Sequence, residues 1–261
     1  FDGSGVQQLN GINGTIADVF TGRYSPYNRQ ITTSGTNTSL QIGSGVTVNH
    51  STGDLTISNL SGNQGTLLAT GGTLNVSGSN WSNTGTGLIE ASGGRVVLSG
   101  AWINSGSLSA NTSTIAFASP VPLSNLGSVS YGSTGNFEVA NGGILDLGGG
   151  SFDLAPNMGS LTLSNGGVIR NGTLLSSNPS TAQLNLTEYS QATLDQMTLG
   201  SGLNANVPYA STLVVTGGLN LNGATLNLKD YGASLRFDGS GVQQLNGING
   251  TIADVFTGRY S

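Results

Sequence analysis

Apolar residues recur along this chain at every second position, in short bursts. A small residue, any residue, an aliphatic, any residue and another aliphatic make GDLTI (53–57), GTLNV (72–76), GNFEV (135–139), GILDL (143–147), GSLTL (159–163), AQLNL (182–186), ATLNL (224–228) and ASLRF (233–237). Alternation over four or five residues, bounded by Gly, Asn and Ser, predicts half-buried β-strands. Helical spacing is not sustained anywhere. Gly and Asn come too often for a helix of about ten residues to survive. The pattern predicts an all-β chain.

Between the bursts stands a ladder of Asn-x-Gly: Asn63/Gly65, Asn83/Gly85, Asn104/Gly106 and Asn125/Gly127, continued by Asp146/Gly148 with Asp in the Asn slot. The first step is 20 (83 − 63) and the next three are 21 (104 − 83, 125 − 104, 146 − 125). Asn165/Gly167 follows after 19 (165 − 146), and Trp81 and Trp102 are 21 apart (102 − 81). Apolar columns keep the same step: Leu67, Leu88, Leu108 and Val129, and Leu55, Leu74, Val96, Ile115 and Phe137. Two or more short strands in a period of about 20–21 residues predict a parallel β-solenoid. Gly and Asn recur at its corners because they tolerate positive φ. Stacked Asn side chains are expected to bond up and down the stack rather than hold a ligand. Coils about 4.8 Å apart make roughly eleven coils rise on the order of 50 Å. Residues 20–40, 117–126 and 187–210, with Pro26, Pro120 and Pro122 or a degenerate pattern, are expected as longer corner loops or protrusions.

A longer repeat encloses the short one. FDGSGVQQLNGINGTIADVFTGRYS at 1–25 returns letter for letter at 237–261. Residues 1–236 read as one unit of a tandem array, and 237–261 as the start of the next identical unit. An engineered concatemer would carry the same identity. Ser234-Leu235-Arg236 runs into Phe237 without a break, so the unit boundary is expected inside a strand.

Composition narrows the function. Charged residues are 7% of the chain, against roughly 25% in ordinary soluble domains. The few cations are scattered and the net charge is −5, so no basic stripe offers itself to nucleic acid. No apolar run approaches the ~20 residues that span a bilayer. The absence of Cys excludes disulfides and thiolate metal sites.

Runs such as GGTLNVSGSNWSNTGTGLIEASGGRVVLSGAWINSGSLSA (71–110) resemble the haemagglutinin-type and autotransporter-type repeats of large bacterial exoproteins. The resemblance implies a right-handed parallel β-helix, secretion to the cell surface, and service as an adhesin, stalk or extracellular fibre. It is clearest over residues 45–175. The expectation is a structural repeat of a long extracellular solenoid fibre, its partners being identical units end to end, with neighbouring fibres or surface glycans as further candidates. The rival is an adhesin that binds a glycan or receptor through its side face or loops. A carbohydrate-active β-helix enzyme is the third reading.

Candidate chemistry is sparse. Relative to the Asn ladder only Glu90 and Asp153 share a slot, three coils apart and roughly 14 Å, too far for one reaction. His50, the single histidine, cannot make a zinc site without thiolates or clustered carboxylates and is expected on a surface turn. No catalysis, metal or cofactor is expected. Arg23, Tyr24, Tyr27 and Arg29 form the candidate surface contact, an aromatic and cationic patch beside Pro26 that could equally cover a corner of the core.

Overall fold

A computed structural model describes residues 3–17 and 29–256. The chain divides into two compact units, Phe1–Asn136 and Phe137–Ser261, which together hold about 10 solenoid turns. The strand pairings run parallel in both units. Among the described residues only Leu123–Asn125 and Leu154–Asn157 are helical.

In the first unit, one face stacks Asp54–Ile57, Thr73–Asn83, Arg95–Asn104 and Thr114–Phe117. Leu55, Leu74, Val96 and Ile115 lie directly opposite one another along it. A second face stacks Val46–His50, Thr66–Ala69, Leu88–Ala91, Ser107–Ala110 and Ser128–Tyr131. Its inward column is Val48, Leu67, Ile89, Leu108 and Val129. Ile89 therefore holds the slot that the even spacing assigns to Leu88. Leu88 lies opposite Thr66 and Ser107, on the outward side. Alternation puts every second side chain inside, and stacking completes a core that no coil could close alone.

In the second unit, Leu161–Leu163, Leu184–Leu186, Asn204–Val207, Thr225–Lys229 and Thr251–Val255 form one face. Val168–Leu175, Gln191–Leu199 and Thr212–Asn222 form another. That face ends on Ser234–Phe237 and Leu245–Ile248. The long-repeat boundary, between Arg236 and Phe237, falls inside a paired strand.

Coil length varies more than the ladder suggests. Leu88 pairs with Ser107, a step of 19 (107 − 88), whereas Gly5 pairs with Thr38, a step of 33 (38 − 5). Residues 187–210 are not a protrusion. They supply Gln191–Leu199, paired at every residue but Gln196, and Asn204–Val207, paired throughout. The irregularity there is absorbed by a bulge between Asp195 and Met197, with Gln196 at φ +54°. Residues 120–122 likewise make a short strand with Val121 buried.

The corner glycines have two jobs. Gly85 sits at φ +54°, as corner geometry predicts. Gly65 and Gly106 do not have positive φ and are required by crowding. A Cβ on Gly65 would lie 2.3 Å from Val46 O, and one on Gly106 would lie 2.2 Å from Gly87 O.

Leu98 is fully buried, while Ile103, on the same strand, is 51% exposed. Leu98→Ala is expected to cost about 2–5 kcal/mol and Ile103→Ala well under about 1 kcal/mol, measured by denaturant unfolding. Equal losses would contradict the inward and outward assignment.

Candidate functional site

The ladder positions come together as a buried polar spine in the first unit. Asn63 Nδ2 donates to Asn83 Oδ1 (2.8 Å), and Asn83 Nδ2 donates to Asn104 Oδ1 (2.8 Å). All three are buried. The turn amides are satisfied as well: Gly65 N donates to Asn63 Oδ1, and Asn83 Nδ2 reaches Gly87 O. The spine ends at Asn104, whose amide donates to the carbonyls of Leu126 and Ser128. Asn125 does not extend it. Asn125 lies in the Leu123–Asn125 helical turn and donates to Trp102 O (3.2 Å). That turn moves the side chain out of the slot, and Gly127, at φ +57°, closes the corner after it.

Asp146 serves a different purpose from the asparagines. Its Oδ1 accepts from Gly148 N, the same local turn, and from Asn171 Nδ2, while its Oδ2 pairs with Arg170 Nε at 2.9 Å. Partial burial pushes the carboxyl up. The Gly148 amide, Arg170 and Asn171 outweigh that and hold it below the usual carboxylate range.

A second spine escaped the sequence reading. In the second unit Asn227 Nδ2 donates to Asn206 Oδ1 (3.0 Å), and Asn206 Nδ2 donates to Asn185 Oδ1 (2.7 Å). These residues also step by 21 (206 − 185, 227 − 206), but they sit inside strands and no Gly follows two residues later to flag them.

Trp81 and Trp102 are buried and stacked, with centroids 5.8 Å apart, and Phe117 continues the stack at 5.7 Å. They are core and present no glycan-binding face. His50 is also inside, contrary to the turn expectation. It is fully buried at the end of Val46–His50, opposite Ala69, and its Nε2 lies 3.0 Å from Gly53 O. The inward parity of that strand, Val46, Val48 and then His50, carries it in. Desolvation lowers its pKa from 6.5; Arg29 pushes the same way, and the Gly53 carbonyl and Asp54 oppose.

Of the candidate surface contact, Arg23, Tyr24 and Tyr27 lie outside the described residues. Arg29 is described, and its Nη2 donates to Thr52 O. Glu90 accepts from Asn111, and Asp153 caps Leu154–Asn157 by accepting from Ala155 N. Among the described residues no three His, Asp or Glu gather as a metal site, and no helix is long and apolar enough to cross a membrane.

The exposed aromatics lie elsewhere. Tyr189, Tyr209 and Tyr231 occupy the corner of three successive coils of the second unit. Tyr189 and Tyr209 meet edge to face at 5.4 Å, and Tyr209 and Tyr231 are tilted at 6.5 Å. Tyr189 is 73% and Tyr231 70% exposed. Aromatic rings that stack on each other yet face water mark a surface suited to contact.

No family model, curated protein or solved structure matches this chain. The likeness to exoprotein repeats therefore rests on strand pattern, and the site must be judged on its own geometry.

Two outcomes follow from the buried polar groups. Asn83→Ala strands the buried Asn104 Oδ1, worth about 1–3 kcal/mol, and leaves Asn63 Nδ2 only its bond to Gly65 O, so its stability loss should exceed that of Asn125→Ala in chemical unfolding. His50, with a depressed folded pKa, binds its proton more readily when unfolded. Its contribution is complete above about pH 6.5 and is lost as pH falls through the window below it. His50→Gln should flatten that part of a melting-temperature profile between about pH 7 and 5.

Proposed function

We propose that this chain is a structural span of a long extracellular fibre, in which identical 236-residue repeats continue as one unbroken solenoid. One observation carries the reading. Thr15, Ile16 and Ala17 pair with Thr47, Val48 and Asn49, on a later coil. The same three letters at Thr251, Ile252 and Ala253 pair with Thr225, Leu226 and Asn227, on an earlier coil. One stretch of sequence thus accepts a neighbour on either edge, which a repeat in mid-array must do.

The function is mechanical. Parallel backbone hydrogen bonds run along the axis and carry load from coil to coil. The aliphatic columns keep water out, and a polar, weakly charged surface faces the medium. Partners are identical units in line, and no catalysis, metal or cofactor is assigned. Placement outside the cell is supported by the cysteine-free, charge-poor composition and by the resemblance of 71–110. Electron microscopy of a tandem array is the test. A thin fibre with an axial repeat on the order of 50 Å is expected; beads on flexible linkers would sink the reading.

A second reading has its own observation, the Tyr189–Tyr209–Tyr231 column. A polysaccharide laid along it would meet the column again in every repeat, so weak contacts would add through multivalency. Tyr189→Ala/Tyr231→Ala should then abolish retention on a polysaccharide array while leaving the melting temperature within a few degrees of the parent. Unchanged retention, or none by the parent, would remove the adhesin reading.

A further inference from the structure

The tyrosine column of the second unit has a chemistry of its own. Tyr189, Tyr209 and Tyr231 stand on successive coils whose backbones bond to one another at these very corners. Tyr189 N donates to Tyr209 O (3.3 Å), and Ala210 N donates to Tyr231 O (3.0 Å). The rings follow, with centroids 5.4 Å apart in the first pair and 6.5 Å in the second. A further coil flanks the column on each side, at Leu161–Leu163 and at Thr251–Val255. The rings are therefore open to water on a side face, not at an end. Other easily oxidised groups are absent or shielded. The chain has no cysteine, two methionines and two tryptophans. Met158, Met197, Trp81 and Trp102 are all buried, and so is His50. Oxidation follows exposure, and here Tyr189 and Tyr231 are the exposed groups, with Tyr209 half-buried between them.

We propose that this column is a modification site, at which oxidation staples one coil to the next by a carbon–carbon bond between Tyr209 and either Tyr189 or Tyr231. The oxidant is a haem peroxidase acting with hydrogen peroxide. It takes one electron from each of two phenols, and each phenol gives up its hydroxyl proton. The two radicals pair at ring carbons ortho to oxygen. The hydrogens on those two carbons then move to the oxygens as protons, which restores both phenols. Peroxide takes up the two electrons and two protons and leaves as two waters. Position selects the partner. A radical on Tyr209 already has a second tyrosine ring against it, and a held neighbour outcompetes a bimolecular encounter.

Each bond closes a loop of one coil, 20 residues for Tyr189–Tyr209 (209 − 189) or 22 for Tyr209–Tyr231 (231 − 209). It does what a disulfide does elsewhere, restricting the unfolded chain, in a protein with no cysteine to make one. The bond lies along the axis, beside the backbone ladder, so it holds the corners together when that ladder is pulled. This mechanical use rests on the fibre reading; the coupling itself rests only on the column.

The test is to treat the dilute chain with a haem peroxidase and hydrogen peroxide, isolate the monomer band and digest it with trypsin. Trypsin cuts after Arg170, Lys229 and Arg236. Tyr189–Tyr209 coupling leaves peptide 171–229 lighter by two hydrogens. Tyr209–Tyr231 coupling joins that peptide to 230–236. One or both products are expected by mass spectrometry, together with the blue fluorescence of dityrosine. Tyr209→Phe keeps the ring in the stack but leaves Tyr189 and Tyr231 two coils apart, roughly 10 Å, and should lose both products. Tyr131→Phe, in the first unit, should keep them. The stapled monomer should melt several degrees above the untreated one. Coupling between molecules only, no coupling at all, or a yield that Tyr209→Phe leaves unchanged would overturn the proposal. Coupling without a rise in melting temperature would overturn the staple. Neither the fibre nor the adhesin reading enters these readouts, so their failure is seen separately, by microscopy and by polysaccharide retention.

Discussion

Everything in this protein depends on the parallel backbone ladder between successive coils. Each coil offers a row of amide donors and carbonyl acceptors along its upper and lower edges, and only another coil can satisfy them. The same stacking makes the core. A strand such as Thr66–Ala69 has two inward side chains, Leu67 and Ala69. Alone they bury nothing; beneath Ile89 and above Val48 they lie in a closed apolar column. Hydrogen bonding and hydrophobic burial therefore act along one axis and cannot be separated.

That constraint explains where polar residues are tolerated inside. An asparagine side chain has both a donor and an acceptor end, so it can hand a hydrogen bond from coil to coil as the backbone does. Asn63, Asn83 and Asn104 form one such chain inside the first unit; Asn185, Asn206 and Asn227 form another on the outward side of their strands, where only Asn206 is buried. Each chain needs a neighbour of its own kind at the same register. Where the corner changes shape, as at Leu123–Asn125, the relay stops. His50 faces Ala69 on the next coil and turns to the carbonyl of Gly53, just beyond its own strand. An imidazole held there is tolerable while neutral and costly when protonated.

Much of this was legible in the chain. The all-β class, the parallel stacking and the first three ladder asparagines follow from alternation and from steps of 20 and 21. The limits are equally particular. Asn125 keeps the step and the Gly, yet Pro120 and Pro122 nearby give the chain a short strand and a helical turn that no spacing records. Asn185, Asn206 and Asn227 keep the step without the Gly. Tyr189, Tyr209 and Tyr231 step by 20 and 22 (209 − 189, 231 − 209), through a stretch whose apolar pattern is masked by the bulge at Gln196.

By itself the sequence determined the periodicities, two along a strand and about twenty around a coil, because these depend only on side-chain parity and corner chemistry. It also determined that one stretch of letters, at 1–25, returns unchanged at 237–261. Only the tertiary structure decided which register each strand took, which side of a corner a residue fell on, and what stayed exposed. Identical letters show why: Gly5–Leu9 is strand in one copy, whereas in the other the strand is Leu245–Ile248, equivalent to positions 9–12. A strand's frame is chosen by the edge that it meets, and that edge lies dozens of residues away in the chain.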